Sequence, residues 1–295
     1  MTLTGSLVAL VTPMNDDQSI DYATLAELIE WHSHAGTDGL VILGTTGESA
    51  AITPTERRDM IAFVRSRITD HCALIVGTGS SSTQVALSLT QEAYDLGADA
   101  ALLVTPCYVK PTQQGLYAHY KYIAERCDCP QILYNVPSRS GCDLLSSTVA
   151  QLAQLPNIVG LKDATGDLDR LRESLALETD IVLLSGDDAT AAEFMLAGGH
   201  GVISVSANVV PHTIKQLCDI ASKGDVAATQ ELDQSLTALN QALFVESNPI
   251  PVKWLLSRME KIQPTLRLPL TLLSQDFHIL FDELSNSMNL LPINN

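Results

Sequence analysis

The chain has 295 residues, 46% of them hydrophobic, with 17 Gly and 13 Pro, which excludes disorder and fibrous repeats and suits one large domain that buries roughly three quarters of its unfolded surface. Its 34 acidic residues against 17 basic ones give a formal charge of −17, a field that repels nucleic acid and anionic membranes. The same field opposes anionic metabolites, so an enzyme acting on them needs a local group of Arg, Lys and backbone N–H donors.

The segment up to Asp17 lacks a basic n-region and carries only a short apolar run before Pro13, too little for a signal peptide or a membrane span. A cytoplasmic address is expected. From there the chain alternates eight times between a short apolar run, a small or polar signature and an amphipathic stretch of about a dozen residues. The runs are Leu7–Val11, Leu40–Leu43, Ala73–Val76, Ala101–Val104, Ile132–Tyr134, Ile158–Leu161, Ile181–Leu184 and Val202–Val205. Each is continuously apolar, as strands covered on both faces are. Thr53-Pro54-Thr55-Glu56 reads as a helix start with a capping box, and Ser81 with Gln84 repeats the device. Ala35-Gly36, Leu96-Gly97 and Ala197-Gly198-Gly199 read as helix ends, where Gly supplies a left-handed residue.

Eight consecutive strand–helix units predict an α/β fold, a (β/α)8 TIM barrel over residues 1–223. Residues 224–295 read as a C-terminal helical extension, with Leu232, Leu236, Leu239 and Leu243 forming a stripe that packs on the barrel or on a neighbouring subunit. Cys72, Cys107, Cys127, Cys129, Cys142 and Cys218 are too sparse for a disulfide framework. Reduced thiols are expected. The seven histidines show no H-E-x-x-H pattern, and no metal site is expected.

In this fold the active site forms at the carboxyl ends of the strands. There the chain places Thr12-Pro13, Gly44-Thr45-Thr46-Gly47-Glu48-Ser49, Gly77-Thr78-Gly79, Thr105-Pro106-Cys107-Tyr108, Tyr134-Asn135-Val136-Pro137-Ser138-Arg139, Lys162-Asp163-Ala164-Thr165, Ser185-Gly186-Asp187-Asp188 and Ser204 through Asn208. Of the seven lysines, only Lys162 directly continues a fully apolar strand. An amine held there loses hydration, which favours its neutral, nucleophilic form and suits Schiff-base chemistry; the plainer alternative is an ion pair with Asp163. Gly44-Thr45-Thr46-Gly47 offers hydroxyls and close backbone N–H groups to a carboxylate, or is a tight turn only. No Gly-Lys-Ser/Thr follows it, and Ser82 stands where a dinucleotide fingerprint needs its third Gly. Asp187-Asp188 reads as a charge at a helix start more readily than as an acid–base pair.

These motifs resemble the pyruvate-dependent class I aldolase family of dihydrodipicolinate synthase and N-acetylneuraminate lyase, and its synthase branch most closely. The resemblance runs from Gly5-Ser6-Leu7-Val8 through Gly44–Ala50, Val104-Thr105-Pro106, Tyr134–Arg139 and Lys162–Gly166 to Asn248-Pro249-Ile250-Pro251-Val252-Lys253. It implies an imine between Lys162 and pyruvate, with Tyr134 shuttling protons in a relay with Thr45 and with Tyr108 of a neighbouring subunit. It implies further that Thr46 holds the pyruvate carboxylate, that the Gly186 and Ile203 main chain lines the pocket, and that Arg139 grips the carboxylate of aspartate semialdehyde through its bidentate fork. The plainer alternatives are barrel packing for Tyr134, an interface aromatic for Tyr108 and a surface ion pair for Arg139.

The implied reaction condenses pyruvate with L-aspartate 4-semialdehyde to 4-hydroxy-tetrahydrodipicolinate, a precursor of diaminopimelate and lysine. It uses no cofactor or metal, and the implied assembly is a homotetramer built as a dimer of dimers. The rival readings are a lyase for N-acetylneuraminate or 2-keto-3-deoxy sugar acids, and a non-catalytic barrel that binds a keto acid. The chain departs from lysine-inhibited members, whose regulatory pocket carries His, Asn, Glu and Tyr side chains. Pro54, Arg57, Ser81, Val85 and Cys107 stand at those positions here, so weak or absent lysine feedback is expected.

Overall fold

A computed structural model describes residues 3–290. Eight parallel strands close into a barrel in sequence order: β1 (Gly5–Ala9), β2 (Gly39–Ile42), β3 (Ala73–Gly77), β4 (Ala100–Val104), β5 (Gln131–Asn135), β6 (Ile158–Asp163), β7 (Val182–Ser185) and β8 (Gly201–Ser204). The helices are α1 (Tyr22–Ala35), α2 (Pro54–Arg65), α3 (Thr83–Asp95), α4 (Gln113–Ala124), α5 (Pro137–Ser140), α6 (Ser146–Leu152), α7 (Leu168–Ala176), α8 (Ala191–Leu196), α9 (Pro211–Ala221), α10 (Val226–Ala242), α11 (Ile250–Arg258) and α12 (His278–Ser287). The strand pairing of β8 with β1, from Gly5 opposite Gly201 to Val8 opposite Ser204, completes the circle.

Continuous apolar strands follow from two cores. Leu7, Val41, Ile75, Leu102, Ile132, Leu184 and Ile203 fill the barrel, while their neighbours Val8, Leu40, Ile42, Leu74 and Val76 pack outward under the helices. Side chains alternate between the two faces and both faces are covered, so the central residues of the strands are apolar. The first strand sits two residues earlier than the apolar run suggests. Leu10 and Val11 are buried beyond it: the Leu10 N–H still donates to Val41 O at 3.0 Å, whereas the Val11 N–H donates to Asn208 Oδ1 at 3.0 Å instead of continuing the ladder.

Thr53 caps α2 in a full capping box with Pro54 in the first turn. The second expected cap falls on Ser82 rather than Ser81: Ser82 accepts from the Val85 N–H, while the Ser81 hydroxyl is drawn to Cys107 O at 2.8 Å. Gly36, Gly97 and Gly198 all take positive φ at helix ends. In the extension, Leu236, Leu239 and Leu243 of the α10 stripe are buried in the cluster that contains Met195, Ile214 and Leu217 of α8 and α9, with Leu232 partly covered. The stripe therefore packs on the barrel's own helices. All six cysteines are free thiols, and burial pushes Cys72 up to about 11 and Cys129 up to about 12. No helix among the described residues is long and apolar enough to cross a membrane.

Candidate active site

Six of the eight expected site residues, Thr45, Thr46, Tyr134, Arg139, Lys162 and Gly186, line one cavity of about 220 Å³ at the carboxyl ends of the strands. Lys162 is the penultimate residue of β6 and stands in register with Tyr134 of β5. Its Nζ lies 4.4 Å from the centre of the Tyr134 ring, and both side chains are buried, at 6% and 8% exposure. Among the described residues Lys162 has no ion pair. The alternative pairing with Asp163 fails because Asp163 is fully engaged. One oxygen accepts from the Thr165 N–H and hydroxyl, and the other accepts from Arg170 at 3.1 Å and from Asn135. Arg170 also bridges to Asp143.

Gly186 is required by the lysine itself. A Cβ at this position would lie 2.6 Å from Lys162 Cε and 2.7 Å from the Ala164 Cβ. The Gly44–Ser49 loop enters through Leu43 at φ 55° and leaves through Glu48 at φ 54°, a conformation that costs side-chain-bearing residues energy and clusters at functional sites. Its backbone presses on β3 so closely that a Cβ on Gly77 would meet Leu43 O at 2.1 Å.

Glu48 is buried and pairs at 2.7 Å with Lys253, whose exposure is 0%. The lysine also donates to Thr12 O at 3.0 Å, and the second Glu48 oxygen accepts from the Arg267 N–H. Burial pushes the Lys253 amine down from its ordinary value, against the opposing pull of Glu48.

Arg139 is exposed and, among the described residues, has no acid partner; its Nη2 donates to Asn248 O at 3.4 Å. The surface ion pair considered from sequence is absent there. Ile203 is buried in the barrel interior, and Tyr108 is 91% exposed with φ 70°. Neither lines the cavity of its own chain. The hydroxyls of Thr45 and Tyr134 have no protein hydrogen-bond partner among the described residues, so the expected relay is not closed within one chain.

Several hydroxyls near the mouth prove structural: Ser185 bonds Asp187 O and Ser204 bonds Asp188. The Asp187-Asp188 pair divides. Asp187 accepts from the Thr190 N–H and hydroxyl just ahead of α8, as a helix-start charge should. Asp188 is instead buried, accepts from Ser204, Val205 and Ser206, and has its carboxyl pushed up by desolvation.

Sequence reasoning missed Phe244 and Asn248, which close the cavity from the extension. The motif beginning at Asn248 was visible, but its contact with a loop 202 residues away was not.

A buried amine with no acid partner among the described residues, facing a phenol inside the mouth of a (β/α)8 barrel, defines a lysine-dependent barrel enzyme of the aldolase class. Residues 2–284 match the Dihydrodipicolinate synthetase family. The chain belongs to that family. It is 55% identical over 274 residues to a 4-hydroxy-tetrahydrodipicolinate synthase of Coxiella burnetii, covering 93% of this chain and 94% of the relative. It is 54% identical over 275 residues to the synthase of Thioalkalivibrio sulfidiphilus, with the same coverage. Among solved structures, the chloride-inhibited dihydrodipicolinate synthase of Acinetobacter baumannii, in complex with pyruvate, superposes with a TM-score of 0.96. That match has 45% identity and covers 98% of this chain and 100% of the other.

Proposed function

We propose that this chain is a lyase that condenses pyruvate with L-aspartate 4-semialdehyde to 4-hydroxy-tetrahydrodipicolinate, and that Lys162 is the nucleophile. The chemistry follows from the amine. Lys162 Nζ attacks C2 of pyruvate, and loss of water leaves an imine. Removal of a C3 proton gives an enamine whose C3 attacks the aldehyde, and the new alkoxide takes up a proton. The amino group of the second substrate then attacks the imine carbon and displaces Lys162, closing the ring. The protonated imine is the electron sink, so the reaction as written needs no metal or organic cofactor.

Tyr134, beside the amine, is the nearest acid–base group for these transfers. Thr45 joins it in the relay, Thr46 holds the pyruvate carboxylate, and the Gly186 main chain borders the substrate, with Ile203 packed in the barrel interior. Arg139 receives the carboxylate of the aldehyde, for which its freedom from acid partners suits it. Tyr108 completes the relay from a second copy, in a homotetramer arranged as a dimer of dimers. Its exposed ring and positive φ fit a side chain displayed for a neighbour. The barrel of residues 1–223 carries the chemistry, and the extension of residues 224–295 packs on it.

The observation that carries the reading is Lys162: buried, without an acid partner among the described residues, and inside the cavity with Tyr134. Treatment with pyruvate and borohydride followed by peptide mass spectrometry tests it, and an unmodified Lys162 would refute it. Turnover with N-acetylmannosamine but not with aspartate semialdehyde would move the assignment to the sugar-acid lyases. For regulation, Arg57 donates to Gly77 O and Val85 is exposed, so no acid from these positions awaits an ammonium group; strong saturable inhibition by lysine would count against the weak feedback we propose.

A further inference from the structure

We infer that Asn248, contributed by the C-terminal extension, is a positioning residue that aims the Thr46 hydroxyl proton at the substrate carboxylate. The inference rests on the reading above, in which Thr46 receives the carboxylate of pyruvate.

A threonine hydroxyl has one proton to donate and two lone pairs to accept with. Which it offers to a ligand depends on what its protein neighbours already take. Asn248 Nδ2 donates to Thr46 Oγ1 at 2.8 Å, and this is the only protein hydrogen bond of that hydroxyl among the described residues. A lone pair is thereby occupied, and the proton is left for the cavity that both residues line. A carboxylate accepts only, so a hydroxyl held in this way is a matched donor for it. Had Asn248 presented its carbonyl oxygen instead, the hydroxyl would give its proton to the protein and turn lone pairs toward an anion.

Asn248 is itself held firmly. It is 6% exposed, its main-chain oxygen accepts from Arg139, and it stands at the entry to α11. Five residues further on, Lys253 grips Glu48. Two contacts from one short stretch of the extension thus fix Thr46 and Glu48, which flank Gly47 in the loop. Among the described residues Asn248 Oδ1 is buried with no partner, so donation to Thr46 is the one protein hydrogen bond of this side chain.

The carboxylate of pyruvate carries the same charge in the ground state and throughout imine formation. A donor aimed at it therefore acts on binding more than on the chemical step. Asn248→Ala is expected to raise the KM for pyruvate about tenfold and to leave kcat within about threefold, the size of one lost hydrogen bond to a charged group. Thr46→Val should do the same. Because Asn248 acts through Thr46, the double variant should be no worse than Thr46→Val alone, which is the signature of coupled residues.

Asn248→Asp, of nearly the same shape, should raise the KM at least as much, because its carboxylate takes the Thr46 proton and repels the substrate. This variant keeps the test decisive if the alanine substitution perturbs folding. Multiplied effects in the double variant, a loss confined to kcat, or a normal KM in Asn248→Asp would each overturn the inference. Borohydride trapping separates the two levels. If Lys162 in the unaltered enzyme is not labelled by pyruvate, the underlying assignment fails. If it is labelled normally but the Asn248 and Thr46 effects multiply, only the positioning role fails.

Discussion

Replacing Lys253 by Met should be among the most damaging single changes outside the cavity, and its partner replacement should undo most of the damage. The Lys253 and Glu48 side chains are 0% and 1% exposed. Among the described residues, removing the lysine leaves Glu48 with only the Arg267 N–H as a donor, and Thr12 O loses the amine as well. Breaking a buried pair in this way costs roughly 3–5 kcal/mol, because a charge remains in a low-dielectric site without compensation. Against a total stability of about 5–15 kcal/mol, that is a large fraction. The double replacement Lys253→Met with Glu48→Gln removes the stranded charge and should recover most of the loss, since buried pairs contribute little net stability over neutral substitutes.

Urea unfolding followed by tryptophan fluorescence, at one fixed protein concentration, reads both variants; Trp254 adjoins the site in sequence and stacks on His278 at 4.2 Å. A single variant within about 1 kcal/mol of the unaltered protein would mean that the pair is not held in a dry site. A double variant as unstable as the single one would mean that packing, not charge, dominates.

Three further outcomes follow from the same geometry. Gly186→Ala should lower kcat by roughly a hundredfold, since a Cβ 2.6 Å from Lys162 Cε forces the amine aside by a distance of the order that costs such a factor; steady-state turnover with near-native activity would refute it. Burial pushes His32 and His119 down to about 4 from 6.5. Between those values the unfolded chain binds protons that the folded chain does not, so stability falls as pH is lowered through the window, by up to about 1.4 kcal/mol per pH unit for each histidine. Urea midpoints at pH 7 and pH 5 should differ less in His32→Gln and His119→Gln than in the unaltered protein, and an unchanged difference would discount the effect. Finally, Lys162→Ala and Tyr108→Phe subunits should each be nearly inactive alone but regain activity when refolded together. A mixed pair then contains one site with both Lys162 and a Tyr108 from its neighbour; no recovery would place Tyr108 outside the relay.

The barrel was legible because its physics is local and repeated. Strands buried on both faces read as unbroken apolar runs, and the Thr53 capping box and the Gly36 turn announce themselves within four residues. Boundaries were less legible where an apolar residue lies past the end of the ladder, as Val11 does with its N–H on Asn208. Three serines in a row, Ser80 to Ser82, offer equivalent hydroxyls, and only the proximity of Cys107 decides which one caps α3. In the site, Lys162 was exposed to reasoning because a lysine ending an apolar strand contradicts its surroundings. Asn248 and the Lys253–Glu48 pair gave no such signal, since partners 202 and 205 residues apart are brought together only by closure of the barrel and return of the extension.

That long return bears on how a chain of charge −17 can hold two substrates that each bear a carboxylate. Bringing acids near the mouth was unavoidable in so acidic a sequence, and each is committed elsewhere. Asp163 is bound by Arg170 and Thr165, Asp187 by Thr190, Asp188 by Ser204 and two backbone N–H groups, and Glu48 by Lys253 and the Arg267 N–H. Among the described residues, Lys162 and Arg139 are the basic side chains at the cavity without such partners. A carboxylate approaching the mouth therefore meets unpaired donors against a background of acids whose oxygens are already hydrogen-bonded, and the short range of that contrast fits a field screened within about 10 Å at ordinary salt. The acidic surface then governs solubility and the rate of encounter, while the orientation of the substrate is set by the few donors that the fold has kept free.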